Sequence, residues 1–419
     1  MNKPQIIQLD RPKHIRDYPN GPCYKAGTLV TTNADWRTER PIFNADKCNG
    51  CYYCYLCCPE GVISKNQSKI EIDFDFCKGC GICAKVCPRN AFEMVREDKT
   101  RSFTATSSQG LLYMAECLHY ASGGRFPIVM MNANRSLALP WSIYGDHRDS
   151  LSLLDCGWIQ VYTEDAQESL DMVIQAFAIA ENLSVLTPVM INLDGFILTH
   201  TYEPVEIPDE EQVKAFLPAF NTPYKMNFEE PQNMGFSTSP SDNMEFKYQQ
   251  HQAMLAAKKV IMQVDSRFEK EFGRGYGGMV HAYRCEDADY IIISLGSTSG
   301  TCKVVADELR EEGFKAGVLK IRFMWPFPEE EIYKVTKHAK GIAVIDRDIS
   351  FGYEGTVYTN VSSALSKYNS NITKLNYIAG LGGRDISKQD IREMFYGIKA
   401  ASEGLEHDKI TFINLGVEI

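Results

Sequence analysis

The chain has 419 residues, which is enough for two or three domains. With 44% hydrophobic and 23% charged residues its composition is that of an ordinary globular protein, and it contains no apolar run long enough to span a membrane. The net charge of −10 argues against nucleic acid as a partner. The first residues lack the apolar segment of a signal peptide, so we expect a cytoplasmic protein.

Two copies of one cysteine pattern follow a polar, proline-containing N-terminal stretch. We expect that stretch, residues 1–45, to be an extension that packs on other subunits. Residues 46–100 then contain C-x2-C-x2-C-x3-C-P twice, starting at Cys48 and at Cys77. Short strands are predicted at 70–76, before the second copy, and at 91–95, after it.

This spacing is typical of bacterial ferredoxins with two [4Fe–4S] clusters, in which the fourth cysteine of each motif binds the other cluster. One cluster would be held by Cys48, Cys51, Cys54 and Cys87. The other would be held by Cys77, Cys80, Cys83 and Cys58. Two zinc sites or a set of disulfides are the alternatives. We expect the remaining cysteines to be reduced thiols, namely Cys23, Cys57, Cys117, Cys156, Cys285 and Cys302.

From residue 101 onward, helical patterns and apolar strands alternate, which indicates α/β architecture. In residues 101–210 the predicted helices cover 110–121 and 167–180, and the predicted strands cover 127–132 and 188–193. The strands are uninterrupted apolar runs, as in a buried parallel sheet. Residues 211–255 are rich in polar residues and proline and are predicted to be a linker or wrapping segment.

A second α/β unit, predicted to be doubly wound, covers residues 256–419. Its strands are predicted at 290–294, 316–321 and 341–345, with a helix at 301–312. The turn between Gly296 and Gly300 lies where doubly wound folds bind phosphate. It lacks G-x-G-x-x-G, so we predict a plain strand–helix turn. The fold class is therefore α/β with an added ferredoxin-like α+β module.

Seven stretches of the later sequence are distinctive, among them Ile-Val-Met-Met-Asn-Ala-Asn-Arg-Ser at 128–136. The others lie at 103–110, 141–150, 194–200, 322–328, 346–352 and 378–385. Together they closely resemble the α component of pyruvate:ferredoxin oxidoreductase and related 2-oxoacid:ferredoxin oxidoreductases. Residues 21–98, with the doubled cysteine motif, resemble the δ component of the same enzymes.

The resemblance implies an oxidative decarboxylase that uses thiamine diphosphate to remove CO2 from a 2-oxoacid. Electrons would pass through the [4Fe–4S] clusters to ferredoxin, usually with transfer of the acyl group to coenzyme A. A β-type subunit would bind the diphosphate and Mg2+, a γ-type subunit would serve acyl transfer, and the whole would form a dimer of heteromers in an anaerobic cytoplasm. Pyruvate is the expected substrate; oxalate, 2-oxoglutarate and branched 2-oxoacids are alternatives.

The resemblance also assigns candidate site residues. Arg135 follows the predicted strand at 127–132, where a parallel sheet presents ligand-binding groups. Its guanidinium is implied to bind the 2-oxoacid carboxylate, and a structural salt bridge is the alternative. Thr106, Ser107 and Ser108 precede a helix and are predicted to lie near the thiamine cofactor, with helix capping as the alternative.

Two acidic clusters are predicted to brace loops. Asp146, His147 and Asp149 suggest acid–base chemistry, but loop stabilisation by hydrogen bonds between aspartate and histidine is the preferred interpretation. Bracing is also preferred over partner binding for the Asp-Arg-Asp sequence at 346–348.

The chain departs from the family pattern before Phe103. In the family a long segment of the same domain precedes this stretch, with a Tyr-Pro-Ile-Thr-Pro turn and a glutamate that activates the aminopyrimidine. Here the ferredoxin module runs directly into Phe103 and no such turn occurs. Either another polypeptide completes the domain, or the chain joins pieces that are separate or incomplete in the native protein. An alternative function is therefore an electron-transfer or assembly subunit without a catalytic role.

Overall fold

The computed structural model describes residues 37, 39–66, 69–96, 101–224, 235 and 237–417. The chain divides into two compact units, residues 1–100 and 101–419, and each is described by itself. Most of the predicted extension, residues 1–36, lies outside the described residues. No described helix combines the length and the hydropathy that a membrane-spanning segment requires.

The first unit is a small α+β module with two antiparallel strand pairs. Its strands and helices are β1 (Glu39–Phe43), α1 (Tyr53–Cys57), β2 (Ile63–Asn66), β3 (Lys69–Ile72), α2 (Ile82–Val86) and β4 (Phe92–Arg96). β1 pairs with β4, and β2 pairs with β3. The predicted boundary at residue 46 is therefore too late, because β1 belongs to the module and satisfies the backbone hydrogen bonds of β4.

The second unit contains two sheets flanked by helices. Its first half consists of β5 (Phe103–Thr106), α3 (Gln109–Tyr113), α4 (Ala115–Gly123), β6 (Val129–Asn134), α5 (Arg148–Leu151), β7 (Ile159–Tyr162), α6 (Ala166–Ala180), β8 (Val189–Asp194), α7 (Ile197–His200), α8 (Glu210–Phe216) and α9 (Pro240–Phe272). Its second half consists of β9 (Val280–Tyr283), β10 (Tyr290–Ser294), α10 (Thr298–Glu311), β11 (Ala316–Ile321), β12 (Phe323–Trp325), α11 (Glu329–Thr336), β13 (Gly341–Asp346), α12 (Thr356–Lys367), β14 (Thr373–Ile378), α13 (Lys388–Ser402) and β15 (Ile410–Phe412).

The first sheet of this unit has the described strand order β12-β7-β8-β6-β5. Its strands are parallel except β12, which is antiparallel to β7. Thr106 lies opposite Asn132 in the register, and Asn134 lies opposite Asp194. The last residues of β5, β6 and β8 therefore meet at one edge, the carboxyl edge of the sheet, where parallel sheets present their ligand-binding groups.

The second sheet has the order β15-β14-β13-β10-β11-β9 and is parallel except for β9. The predicted α/β fold class is confirmed in both sheets. β12 follows β11 in the chain but pairs with β7 in the first sheet. Residues predicted to belong only to the C-terminal domain thus complete the sheet of the preceding domain, and one hydrophobic core runs through both.

The segment predicted as a linker, residues 211–255, differs from the expectation. It contains most of α8 and the first half of α9, a 33-residue helix. Proline at the first helical position does not disturb the helix. Ala253, Ala257 and Ile261 are buried at four-residue spacing, so this helix packs on the protein although its first turns are polar.

Candidate functional site

The two cysteine loops of the first unit have the same local structure. Each places its third cysteine, Cys54 or Cys83, in a five-residue helix, and both side chains are buried. Gly79 has a φ of +66°, and a Cβ there would lie 1.8 Å from the carbonyl oxygen of Glu39. Glycine is therefore required for the backbone of the second loop to approach β1.

Four thiols from both motifs line one pocket. Its lining includes Cys77, Cys80 and Cys83 of the second loop, together with Cys58 of the first. Burial, together with the nearby thiols of Cys77, Cys80 and Cys58, raises the pKa of Cys83 to about 11. Thiols this close repel one another when ionised, so the donor set fits a positively charged iron–sulfur cluster.

The first loop brings Cys48, Cys51 and Cys54 together. Burial raises the pKa of Cys54, and the neighbouring Cys51 and Cys48 add to the effect. Backbone amides donate to two of the predicted ligands: Gly50 to Cys48 Sγ at 3.4 Å, and Ala91 to Cys87 Sγ at 3.3 Å. Such hydrogen bonds stabilise thiolates. All the cysteines that the structure describes are free, so the disulfide alternative has no support among them.

In the second unit, Arg135 lies immediately after β6 at the carboxyl edge of the first sheet. Its side chain is partly buried, with its guanidinium carbon 5.8 Å from the centre of the Trp141 ring. One Nη donates to Gln109 Oε1 at 3.4 Å, while the buried Nε has no partner within the described structure. No carboxylate of the described residues forms an ion pair with the Arg135 guanidinium. The guanidinium of Arg148, in contrast, pairs with Asp146.

The loop at Thr106–Ser108 lies beside Arg135. Ser108 is fully buried and has a φ of 52° and a ψ of −122°, an unfavourable conformation for a residue with a side chain. Its hydroxyl makes no capping bond to α3; it donates to Gln109 Oε1 at 2.6 Å or to the Ser136 carbonyl at 2.9 Å. The capping alternative thus has no support at Ser108.

The three residues that suggested an acid–base cluster, Asp146, His147 and Asp149, do not bind one another and contact separate sets of partners. His147 Nε2 lies 2.6 Å from Asp194 Oδ1. Asp146 accepts from Arg148 and from the Gly382 amide at 3.1 Å. Asp149 accepts from other amides. The preferred interpretation, loop bracing, agrees with these contacts, but the histidine's partner is the distant Asp194.

Asp194, the last residue of β8, is the centre of a buried network. It accepts from Arg347 Nη1 at 2.7 Å and from the Ser297 amide at 2.6 Å. Burial alone would raise its pKa, but Arg347 and His147 outweigh burial and hold the pKa far below its usual range. This carboxylate lies against the Gly296–Gly300 turn and accepts from the Ser297 amide there; a plain strand–helix turn remains the prediction. Arg347 braces the loops, as predicted.

Sequence reasoning missed a group of polar side chains at the carboxyl edge. Their unpaired buried atoms within the described structure are Gln109 Nε2, Asn132 Oδ1, Asn134 Oδ1 and Asn192 Nδ2. Buried polar atoms without partners are costly and indicate a site that a polar ligand completes. The alternation of asparagine with apolar residues in β6 was the available signal. This edge fits the polar aminopyrimidine ring of a thiamine cofactor.

Comparison with known families gives three matches along the chain. Residues 100–266 match the pyruvate flavodoxin/ferredoxin oxidoreductase thiamine diphosphate-binding family, and residues 288–391 match the pyruvate:ferredoxin oxidoreductase core domain II. Residues 70–93 match the 4Fe-4S binding domain. Together with relatives that are about 45% identical over three quarters of their length, these matches show that the chain belongs to the pyruvate:ferredoxin oxidoreductase family. Its membership confirms the resemblance, and the chain is a subunit of a 2-oxoacid:ferredoxin oxidoreductase with thiamine diphosphate and [4Fe–4S] clusters as cofactors.

Relatives with two different substrate names are almost equally similar. Pyruvate synthase subunit PorA of Methanothermobacter thermautotrophicus is 45% identical over 70% of this chain and 76% of its own length. Ketoisovalerate oxidoreductase subunit VorA of Pyrococcus horikoshii is 44% identical over 74% of this chain and 78% of its own length. The two identities differ by one percentage point, so identity alone does not distinguish the two substrates.

A solved structure shares the fold. The 2-oxoglutarate:ferredoxin oxidoreductase from Magnetococcus marinus, with 2-oxoglutarate, coenzyme A and succinyl-CoA bound, superimposes with a TM-score of 0.50 at 17% identity. The match covers 73% of this chain and spans only about half, 54%, of the other chain. At this identity the likeness supports the fold alone.

Proposed function

We propose that the carboxyl edge of the first sheet binds the carboxylate of a 2-oxoacid through Arg135. The observation that carries the proposal is a partly buried guanidinium with no carboxylate partner in the described structure and an unpaired Nε. Burying a cation without an anion is unfavourable, whereas a planar guanidinium matches a carboxylate with two parallel hydrogen bonds. A bound 2-oxoacid would supply the missing anion.

Thr106, Ser107 and Ser108 hold the pyrimidine side of thiamine diphosphate in this proposal. Their loop adjoins Arg135 through Gln109, which contacts both Ser108 and the guanidinium. Bound at this edge, the cofactor would supply the nucleophile for the keto carbon of the 2-oxoacid. The residues of this chain orient the two molecules toward each other, since bound geometry contributes much of the rate of such reactions.

The first unit carries electrons away from that reaction through two clusters with crossed ligands. One set is Cys48, Cys51, Cys54 and Cys87; the other is Cys77, Cys80, Cys83 and Cys58. The cavity that Cys58 shares with the second loop supports the crossed arrangement. An external ferredoxin is the proposed acceptor, in an anaerobic cytoplasm.

Pyruvate is the proposed substrate, with coenzyme A as the acyl acceptor. The name of the 45% identical pyruvate synthase subunit supports pyruvate, and coenzyme A is the acceptor that the family resemblance implies. A second candidate is ketoisovalerate, because a relative named for that substrate is 44% identical.

The proposed partners are a β-type subunit that binds the diphosphate and Mg2+, a γ-type subunit for acyl transfer, and a polypeptide that completes the thiamine domain. The described structure supports the last of these. β5 lies at the end of the first sheet with β6 as its one described neighbour, and Phe103 on it is 49% exposed. A strand edge with no second described neighbour and an exposed aromatic side chain favours addition of another strand.

The complex purified anaerobically with its native partners tests this function. Dye reduction would be measured with pyruvate, ketoisovalerate, 2-oxoglutarate and oxalate, each with and without coenzyme A. We expect pyruvate to give the highest kcat/KM and coenzyme A to be required for turnover. A complex that contains both clusters but reduces dye with none of the four acids would instead support the electron-transfer or assembly role.

A further inference from the structure

Asp149 lies between the loop that carries Ser108 and the loop that carries Arg135. Its side chain, in the first turn of α5, is completely buried. Asp149 Oδ2 accepts from the backbone amide of Ser108 at 3.1 Å and from the backbone amide of Arg135 at 3.2 Å. One carboxylate oxygen thus holds the backbone of both candidate site loops.

The remaining bonds of this carboxylate fix its own position. Asp149 Oδ1 accepts from Asn134 Nδ2 at 2.7 Å and from the Ser150 amide at 2.8 Å, and Oδ2 also accepts from Asn132 Nδ2 at 3.3 Å. All five donors are neutral N–H groups, and no basic side chain of the described residues forms a salt bridge with Asp149. The carboxylate therefore acts through geometry and not as one half of an ion pair.

Ser108 shows why this geometry matters. Its φ of 52° and ψ of −122° are unfavourable, and such a conformation persists only where surrounding bonds determine it. The bond from its amide to Asp149 is one of these. Two buried donor atoms nearby, Gln109 Nε2 and Arg135 Nε, have no hydrogen-bond partner in the described structure. A ligand bound between the loops that Asp149 joins would supply acceptors for them.

We propose that Asp149 is a positioning residue for the 2-oxoacid reaction, because its carboxylate fixes the Ser108 and Arg135 loops in one arrangement. The proposal rests on the proposed role of Arg135. It separates Asp149 from Asp146 and His147 of the same sequence stretch, whose contacts lead to Gly382 and Asp194. Asp149 itself touches neither the substrate nor the cofactor in this proposal.

The test compares Asp149→Asn with a matched control, Asp171→Asn, in the reconstituted complex. Asp171 is also completely buried and accepts from Arg274 Nε at 2.6 Å and from the Tyr276 hydroxyl at 2.6 Å, partners that belong to neither candidate site loop. Asparagine at 149 keeps only one acceptor oxygen. Its NH2 group replaces the other oxygen and cannot accept from the N–H groups that face it. We expect Asp149→Asn to lower kcat/KM for pyruvate by about 10- to 100-fold, as misplaced reacting groups do, and Asp171→Asn to leave it within about threefold.

A double-mutant cycle with Arg135→Ala distinguishes positioning from general destabilisation. Because Asp149 also holds the Ser108 loop, the cycle is measured as pyruvate binding to the thiamine-free complex by calorimetry, which reports on Arg135 and does not depend on turnover. If Asp149 acts by placing Arg135, adding Asp149→Asn to Arg135→Ala should weaken this binding by less than about a further threefold. Should Asp149→Asn fail to assemble, Asn134→Ala removes one donor from the same carboxylate, and a smaller loss with the same coupling is expected.

The outcomes separate two failures. Suppose that Arg135→Ala weakens pyruvate binding and that Asp149→Asn weakens it by the same factor whether or not Arg135 is present. The positioning role of Asp149 is then overturned, while the substrate site stands. If Asp149→Asn behaves like Asp171→Asn, the same conclusion follows. If Arg135→Ala binds pyruvate normally, the proposed substrate site fails, and the role of Asp149 fails with it.

Discussion

Arg135 is the residue on which the substrate site depends, and its replacement is the most direct test. A charge-assisted bidentate contact contributes about 2–4 kcal/mol, so Arg135→Ala should lower kcat/KM by roughly 30- to 1000-fold. Arg135→Lys should fall between, because lysine keeps the charge but loses the second parallel hydrogen bond. Steady-state assays over the four 2-oxoacids measure both variants.

The control for this experiment is the redox module of the same preparations. Cluster content and dye reduction from a chemical reductant should be unchanged in both variants, because the cysteine loops belong to the other compact unit. If Arg135→Ala kept a near-normal kcat/KM for every acid, Arg135 would have a structural role and would not bind the substrate.

Neighbouring cysteines 57 and 58 allow a matched test of the crossed ligands. Cys58 lines the cavity with Cys77, Cys80 and Cys83, whereas Cys57 is exposed. Cys58→Ala should therefore damage the cluster held by the second loop, and Cys57→Ser should retain both clusters. Iron analysis and EPR spectra of the reduced proteins report the outcome. Loss of only the first-loop cluster in Cys58→Ala would reject the crossed assignment.

At the scale of elements, α6 and β11 are joined by charges buried in the second unit. Glu168 on α6 binds Lys320 of β11 and Arg322 at its end, the latter with Nε 2.7 Å from Oε1. Glu168→Gln should lower the free energy of unfolding by about 3 kcal/mol, because it leaves two buried cations with fewer anionic partners. Denaturant unfolding followed by tryptophan fluorescence measures this. Glu211→Gln, whose partner Lys214 is solvent-exposed, is the control and should change nothing measurable.

The same substitution should change the pH dependence of stability. Burial alone would raise the pKa of Glu168, but Lys320 and Arg322 outweigh it and lower the pKa from 4.5 to about 2. A depressed folded-state pKa stabilises the protein above the unfolded-state value, and this stabilisation is lost as the pH falls from 4.5 toward 2. Unfolding curves at pH 5 and pH 3 should differ less for Glu168→Gln than for the wild type.

Helices and strands that are specified by a local sequence pattern were predictable. Those that depend on contacts between residues far apart in the sequence were not. The apolar runs predicted β8 and β13 to within a residue, and the period of α6 was equally clear. The helix predicted at 110–121 is instead α3 and α4, because Met114, with a φ of −91° and a ψ of 4°, interrupts it. No sequence pattern relates β1 to β4, or β12 to β7, because those pairings depend on the folded chain.

The candidate site divides in the same way. The cysteine spacing predicted both ligand sets, and the resemblance pointed to Arg135 and the loop at Thr106–Ser108. The role of Asp149 could not be predicted, since its carboxylate joins amides 14 and 41 residues away. The pairing of His147 with Asp194 spans 47 residues and was missed for the same reason.

At the scale of the whole molecule, the exposed surface of the second unit implies that the chain requires partners. Phe103 at the end of the sheet is 49% exposed, and Tyr113 and Tyr120 on the following helices are 94% and 72% exposed. Isolated proteins rarely tolerate open strand edges beside exposed aromatic side chains. We therefore expect the chain produced alone to aggregate or to be inactive with every 2-oxoacid.

Analytical ultracentrifugation and dye-reduction assays of the chain alone, and of the chain co-produced with its β-type and γ-type partners, test this dependence. Co-production should yield a defined heteromer with 2-oxoacid activity. Phe103→Lys places a charge on the end strand, so it should weaken assembly if another strand adds there. Phe412→Lys, on the end strand β15 of the second sheet and 41% exposed, is the matched control and should assemble normally. A monomeric and fully active single chain would contradict the requirement for partners.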